Sequence, residues 1–157
     1  MKGKFASLIL FSFIAFVSLT DMKFSRCGDN NIYRGLNCAI NRVAIEGCNV
    51  NVTKDCSLKR GNNASMVVDF TPDFDAENST VTIHAITFGE KAWPGMDTNG
   101  CKFMTCPIES GVNNTYSYGV QVSYTYPLAT VPIRVVFASN NQPKCCFVTK
   151  IKIEKSN

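Results

Sequence analysis

Between Tyr116 and Tyr126 the chain alternates with a period of two. Tyr116, Tyr118, Val120, Val122, Tyr124 and Tyr126 fall on one face, and Ser117, Gly119, Gln121, Ser123 and Thr125 on the other. Successive side chains of a strand point to opposite sides, so this pattern predicts a long half-buried β-strand over 116–126. The same phase recurs in Ala39, Val43 and Ile45, in Met66, Val68 and Phe70, and in Val81, Ile83 and Ala85. It returns in Val131, Ile133, Val135 and Phe137 and in Phe147, Ile151 and Ile153. Breakers separate these runs: Gly61-Asn62-Asn63, Pro72 to Asn78, Pro94-Gly95, Gly111 to Asn114 and Ser139 to Pro143. Six or seven strands with no sustained helical period predict an all-β sandwich forming one domain.

One segment departs from this pattern. Met1, Lys2, Gly3 and Lys4 precede an apolar stretch from Phe5 to Leu19, with small polar residues at Ser18 and Thr20. A basic start, a short apolar core and a small-residue boundary read as a signal peptide over 1–20, leaving a domain over 21–157. The stretch is at the short end for a membrane span of about 20 residues, so cleavage is preferred to a retained anchor. Removing Lys2 and Lys4 reduces the basic residues from 16 to 14 against 12 acidic ones. The small remaining excess is scattered, which argues against a nucleic-acid partner.

Eight cysteines follow the leader, an even number that in an exported chain implies a disulfide framework. Zinc is disfavoured because adjacent Cys145 and Cys146 do not easily reach one metal. The sequons at Asn51, Asn63, Asn78 and Asn113 are candidate glycosylation sites and fit the same route. Catalytic signals are missing: there is no nucleophile elbow, zinc-protease pair, phosphate loop or dinucleotide fingerprint. The one histidine, His84, falls on the polar phase of a strand and reads as solvent-facing, and Asp73, Asp75, Glu90 and Asp97 read as turn residues. No enzyme, metal or cofactor is expected.

The order Gly47-Cys48, Cys56, Gly61, Trp93-Pro94, Cys101, Cys106-Pro107-Ile108, Tyr116-Ser117-Tyr118 and Tyr126-Pro127, with a late cysteine before a final strand, resembles the ML lipid-recognition family. It is most similar to the branch of soluble Niemann-Pick type C-like carriers and group-two mite allergens, over nearly the whole stretch from Cys27 to Ile153. The resemblance implies an immunoglobulin-like sandwich of two antiparallel sheets, splayed enough to hold a lipid. It implies bridges from Cys48 to Cys56 and from Cys101 to Cys106, and a long bridge from Cys27 or Cys38 to Cys145 or Cys146. By place in the family pattern Cys27 and Cys146 match its long bridge, which leaves Cys38 and Cys145 for a fourth.

The resemblance also places Trp93 at the pocket rim, where the family commonly has phenylalanine, and Val122 and Tyr126 at two further pocket positions. Phe70, Val120 and Tyr124, on the apolar phases, join them as candidate ligand contacts. The expected ligand is a small apolar molecule: a fatty acid, a sterol or a semiochemical. Burying a 16-carbon chain contributes roughly 13 kcal/mol at about 0.8 kcal/mol per CH2, against an association cost of about 4–15 kcal/mol. A preformed pocket of about 300–1,000 Å³ suffices. The resemblance implies a monomeric carrier, secreted or in the lysosome lumen, which delivers its ligand to a membrane protein or membrane surface. The alternative role within the family is presentation of a microbial lipid to an innate immune receptor. That role calls for a basic or apolar rim, and Lys91, Lys102 and Lys144 are dispersed along the chain.

Overall fold

The computed structural model describes residues 19–28, 36, 38–48 and 56–156. Its strands are β1 (Leu19–Asp21), β2 (Phe24–Arg26), β3 (Cys38–Glu46), β4 (Cys56–Lys59) and β5 (Asn63–Pro72). They continue with β6 (Thr80–Thr87), β7 (Gly89–Ala92), β8 (Asn114–Gln121), β9 (Thr130–Ser139) and β10 (Gln142–Glu154). A 3-10 turn, Gly100–Lys102, lies between β7 and β8. The smaller sheet has the order β1-β3-β5-β8, and the larger runs β2-β10-β9-β6-β7 with β4 also paired to β10. All pairings are antiparallel except β4 with β10, which is parallel.

Period-two patterning explains the faces. Ala64, Met66, Val68 and Phe70 of β5 are buried while Ser65, Val67 and Asp69 between them are partly exposed. Ile133, Val135 and Phe137 of β9 meet them from the other sheet in one core, and Val131, on the same phase, is buried beside them. The β9–β10 hairpin closes through Asn140 and Asn141, both at positive φ (51° and 60°), the mirror-image turn that matches strand twist and that asparagine tolerates. The expected strand over 39–45 needs a correction. A register shift between Ile40 and Arg42 changes the phase, so Ile40 rather than Ala39 packs on the core before Val43 and Ile45.

The long strand expected over 116–126 also stops early. Pairing ends at Gln121, and the chain turns at Ser123, whose Oγ accepts from the Thr125 N–H at 3.2 Å and whose carbonyl accepts from the Tyr126 N–H at 3.2 Å. A turn breaks alternation, so Tyr124 leaves the inward face and is 66% exposed. Its hydroxyl lies over Gly61, where φ is +83° and no room is left for a Cβ.

The bridges join Cys27 to Cys146, Cys38 to Cys145, Cys48 to Cys56 and Cys101 to Cys106, leaving no free cysteine. Neighbours in a strand point to opposite faces, and Cys145 and Cys146 use both. Cys145 joins the inter-sheet core, whereas Cys146 packs with Cys27 and Val136 in a separate outer cluster. The Cys38–Cys145 bridge therefore ties β3 of one sheet to β10 of the other. Around that end the core is aromatic: Phe70 and Phe137 stand 4.8 Å apart, and Tyr116 meets Phe137 edge-on at 5.4 Å.

No helix among the described residues is long and apolar enough to cross a membrane. The apolar stretch of the expected leader lies outside the described residues as far as Ser18. Leu19 and Thr20, on the leader side of the expected boundary, pair in β1 with Glu46 and Ile45. Of the sequons, Asn63, Asn78 and Asn113 are exposed, and Asn51 lies outside the described residues.

Candidate functional site

Away from the aromatic end, the inter-sheet space is lined by aliphatic side chains. Ile45 of β3, Ala64 and Met66 of β5 and Tyr118 and Val120 of β8 face it from the small sheet, followed by Val122. Leu58, Ile83, Ile133, Ile151 and Ile153 face it from the large sheet, and Trp93 closes one side. The void is about 40 Å³ and its wall is apolar. A water requires about 10–15 Å³ by a comparable measure, so the space holds a few waters at most and is well below a small-molecule site. The space between the two sheets is therefore narrow, with aliphatic side chains of both facing one another across it. Ligand entry requires the sheets to part or these side chains to repack.

A second, open cleft of about 380 Å³ lies outside this void and shares Trp93 and Ile153 with it. Ala85, Thr87, Lys91, Pro94, Tyr126 and Pro127 also line it. Trp93 and Tyr126 stand edge to face at the boundary, with ring centroids 4.9 Å apart and planes at 72°. These two rings form the mouth.

Each ring is carried beyond an edge strand. Trp93 follows β7, the edge of the large sheet, and its backbone N–H donates to the Ile83 carbonyl at 2.8 Å. On the outer side of that hairpin Glu90 ion-pairs with Arg134 of β9 and lies 3.7 Å from Nδ1 of His84. His84 is accordingly half-buried, which corrects its expected solvent-facing position: β7 folds back beside it. Tyr126 follows β8, the edge of the small sheet. The β4–β5 turn holds its loop through Gly61 N–H to the Val122 carbonyl (2.6 Å), Val122 N–H to the Asn62 carbonyl (2.8 Å), and the Arg60 guanidinium to the Tyr126 carbonyl.

Burial raises the Tyr126 hydroxyl above its ordinary value, and the nearby Trp93 indole N–H opposes part of that rise. The two groups are thus close, yet Nε1 of Trp93 is buried with no protein acceptor in hydrogen-bond geometry. Also on the void, the Tyr118 hydroxyl accepts from the Asp97 N–H at 3.1 Å.

The candidates from sequence therefore divide. Trp93, Val120 and Val122 line the inner void, and Tyr126 lines the cleft beside it. Phe70 lies outside the void: it is fully buried against Phe137 at the aromatic end. Tyr124 points outward over Gly61. Sequence reasoning omitted Ile45, Leu58, Ile151 and Ile153 from the site, although their apolar phase was the available signal. Among the described residues no group of three or more histidine, cysteine or acidic side chains is placed to hold a metal ion.

A family model described as the ML domain matches residues 21–153. An MD-2-related lipid-recognition protein of Manduca sexta is 29% identical over 123 residues, spanning 75% of this chain and 78% of that protein. The NPC intracellular cholesterol transporter 2 of Bos taurus is 29% identical over 136 residues, 85% of each chain. Among solved structures, a Niemann-Pick type C2 protein from the Japanese carpenter ant superposes with a TM-score of 0.71 at 20% identity, covering 84% of this chain and 99% of that one. With two disulfide-tied β-sheets enclosing an apolar space and a model match over nearly the whole domain, the chain belongs to the ML domain family.

Proposed function

We propose that this protein is a secreted carrier that binds a fatty acid, sterol or other small apolar ligand between its sheets and shields it from water. The observation that carries this reading is the apolar void between the sheets, walled on one side by Trp93 and adjoining an outer cleft with which it shares Trp93 and Ile153. The names of the relatives support the ligand class: one is a lipid-recognition protein and another a cholesterol transporter. Binding is driven by removal of apolar surface from water, and part of that gain is spent in opening the packed void.

Displacement of a fluorescent fatty acid or sterol tests this. Val122 is 1% exposed and sits on the void. Val122→Phe should fill the space and weaken binding at least tenfold, while the overpacking costs about 1–3 kcal/mol of stability. Lys152→Ala, on an exposed side chain, should bind as the parent does. A parent protein that binds nothing apolar, or a folded Val122→Phe that binds as tightly as the parent, sinks the assignment.

A further inference from the structure

The segment 122–129 crosses between the sheets beside the mouth, leaving the small sheet after Gln121 and entering the large one at Thr130. Backbone bonds tie its two ends. Val122 makes one with Gly61 and one with Asn62, and the Ala129 carbonyl accepts from the Ile153 N–H at 2.9 Å. Between those ties stands Tyr126, whose ring packs on Trp93. There the segment is held by a side chain: the Arg60 guanidinium donates through Nη2 to the Tyr126 carbonyl.

Arg60 is itself firmly based, since its backbone N–H donates to the Glu154 carbonyl of the large sheet at 3.0 Å. Its Nε is buried, and among the described residues no carboxylate lies within ion-pair distance of the guanidinium. A bond from a cation to a carbonyl is roughly twice as strong as a neutral one. Arg60 lines neither the void nor the cleft. It therefore acts on a wall of the site and not on what the site holds.

Resting on the carrier reading above, we infer that Arg60 is a positioning residue that sets the rate of ligand exchange. It holds Tyr126 against Trp93 whether the site is empty or filled, and release of the Tyr126 carbonyl precedes passage in either direction. Loss of this bond lowers the barrier to entry and to exit alike, so both rates rise while their ratio, the dissociation constant, stays the same.

Stopped-flow mixing with cis-parinaric acid, and its release into excess oleic acid, measures the two rates. Arg60→Met keeps the apolar stem and removes the donors; it should raise both rate constants about tenfold and leave Kd unchanged. Arg60→Lys, which keeps a cationic donor, should restore most of the parent's slowness. A second readout needs no ligand. The chain has a single tryptophan, and its buried Nε1 exchanges hydrogen with solvent only when the mouth opens. That exchange should quicken about tenfold in Arg60→Met while the amides of β9 and β10 exchange as in the parent. Unchanged indole exchange overturns the proposal, as do unchanged rates, or a weaker Kd produced by faster exit alone. Arg60→Gln, shorter and uncharged, carries the same expectations if Arg60→Met fails to fold. A parent that binds neither fatty acid removes the carrier reading, and indole exchange still decides whether Arg60 holds the mouth.

Discussion

Tyr116 is fully buried between Tyr118, Phe103 and Phe137, and its hydroxyl meets no protein partner. Burial first, and then the nearby Tyr118 and Asp97, push that hydroxyl well above the ordinary phenol value of about 10. The ionised form is thus disfavoured in the fold but not in the unfolded chain. Stability from this group is intact below about pH 10 and falls as pH rises beyond it, because only the unfolded chain then releases the proton. Tyr116→Phe should remove an unpaired buried hydroxyl and stabilise the protein by about 1 kcal/mol at neutral pH. It should also flatten the alkaline fall in urea midpoint. A less stable variant, or an unchanged alkaline limb, would show that the hydroxyl has a partner in solution. The same strand shows how far a period-two reading reaches. Tyr116, Tyr118, Val120 and Val122 keep their phase because the ladder holds as far as Gln121, whereas Tyr124 loses it in a turn stabilised by Ser123. Phe70 keeps its phase and is buried, but phase alone does not say which end of the sandwich a residue fills.

At the scale of elements, the mouth depends on the β6–β7 hairpin. β7 is short and exposed, with no strand on its outer side among the described residues, and the hairpin tip carries the fully exposed Phe88. Glu90 anchors it by reaching Arg134 and lying near His84. Glu90→Gln keeps the shape and removes the charge, and should loosen the hairpin by about 1 kcal/mol. Amide exchange of β7 residues should then quicken about fivefold while β9 and β10 stay protected. Equal protection in both proteins would mean that backbone pairing with β6 alone holds the hairpin. This strand was illegible in the sequence, since Gly89-Glu90-Lys91-Ala92 has neither alternation nor β-branched residues. The bulge in β3 was hidden for a related reason: an extra residue changes phase without leaving a turn signal. The central strands β5, β9 and β10 were legible because each presents one face to the core over many residues.

The whole molecule is asymmetric from end to end. At one end the Cys38–Cys145 bridge fastens the sheets together, and Phe70, Phe103, Tyr116 and Phe137 fill the space between them. At the other, aliphatic side chains surround a void of about 40 Å³, and beyond the edge strands β7 and β8 Trp93 meets Tyr126. A second cross-link, Cys48–Cys56, joins β3 to the β4–β10 side, opposite the mouth. Bridges at the aromatic end and on the far side leave the mouth as the place where the sheets part with least loss of contact. Aromatic pairs contribute about 0.5–1.5 kcal/mol each beyond area burial, which further favours opening at the aliphatic end. Native-state hydrogen exchange of the unliganded protein should therefore show an ordered gradient. Amides of Tyr118 to Val122 and of Ala64 to Met66 should open at lower free energy than those of Val68 to Phe70 and Val135 to Phe137. A bound apolar ligand at 100 times its dissociation constant should add about 2.7 kcal/mol to global stability. It should protect the void-lining group most, since those residues supply the contacts. Uniform exchange along β5 and β8, or protection by ligand centred on Phe70 and Phe137, would place the opening at the wrong end of the sandwich.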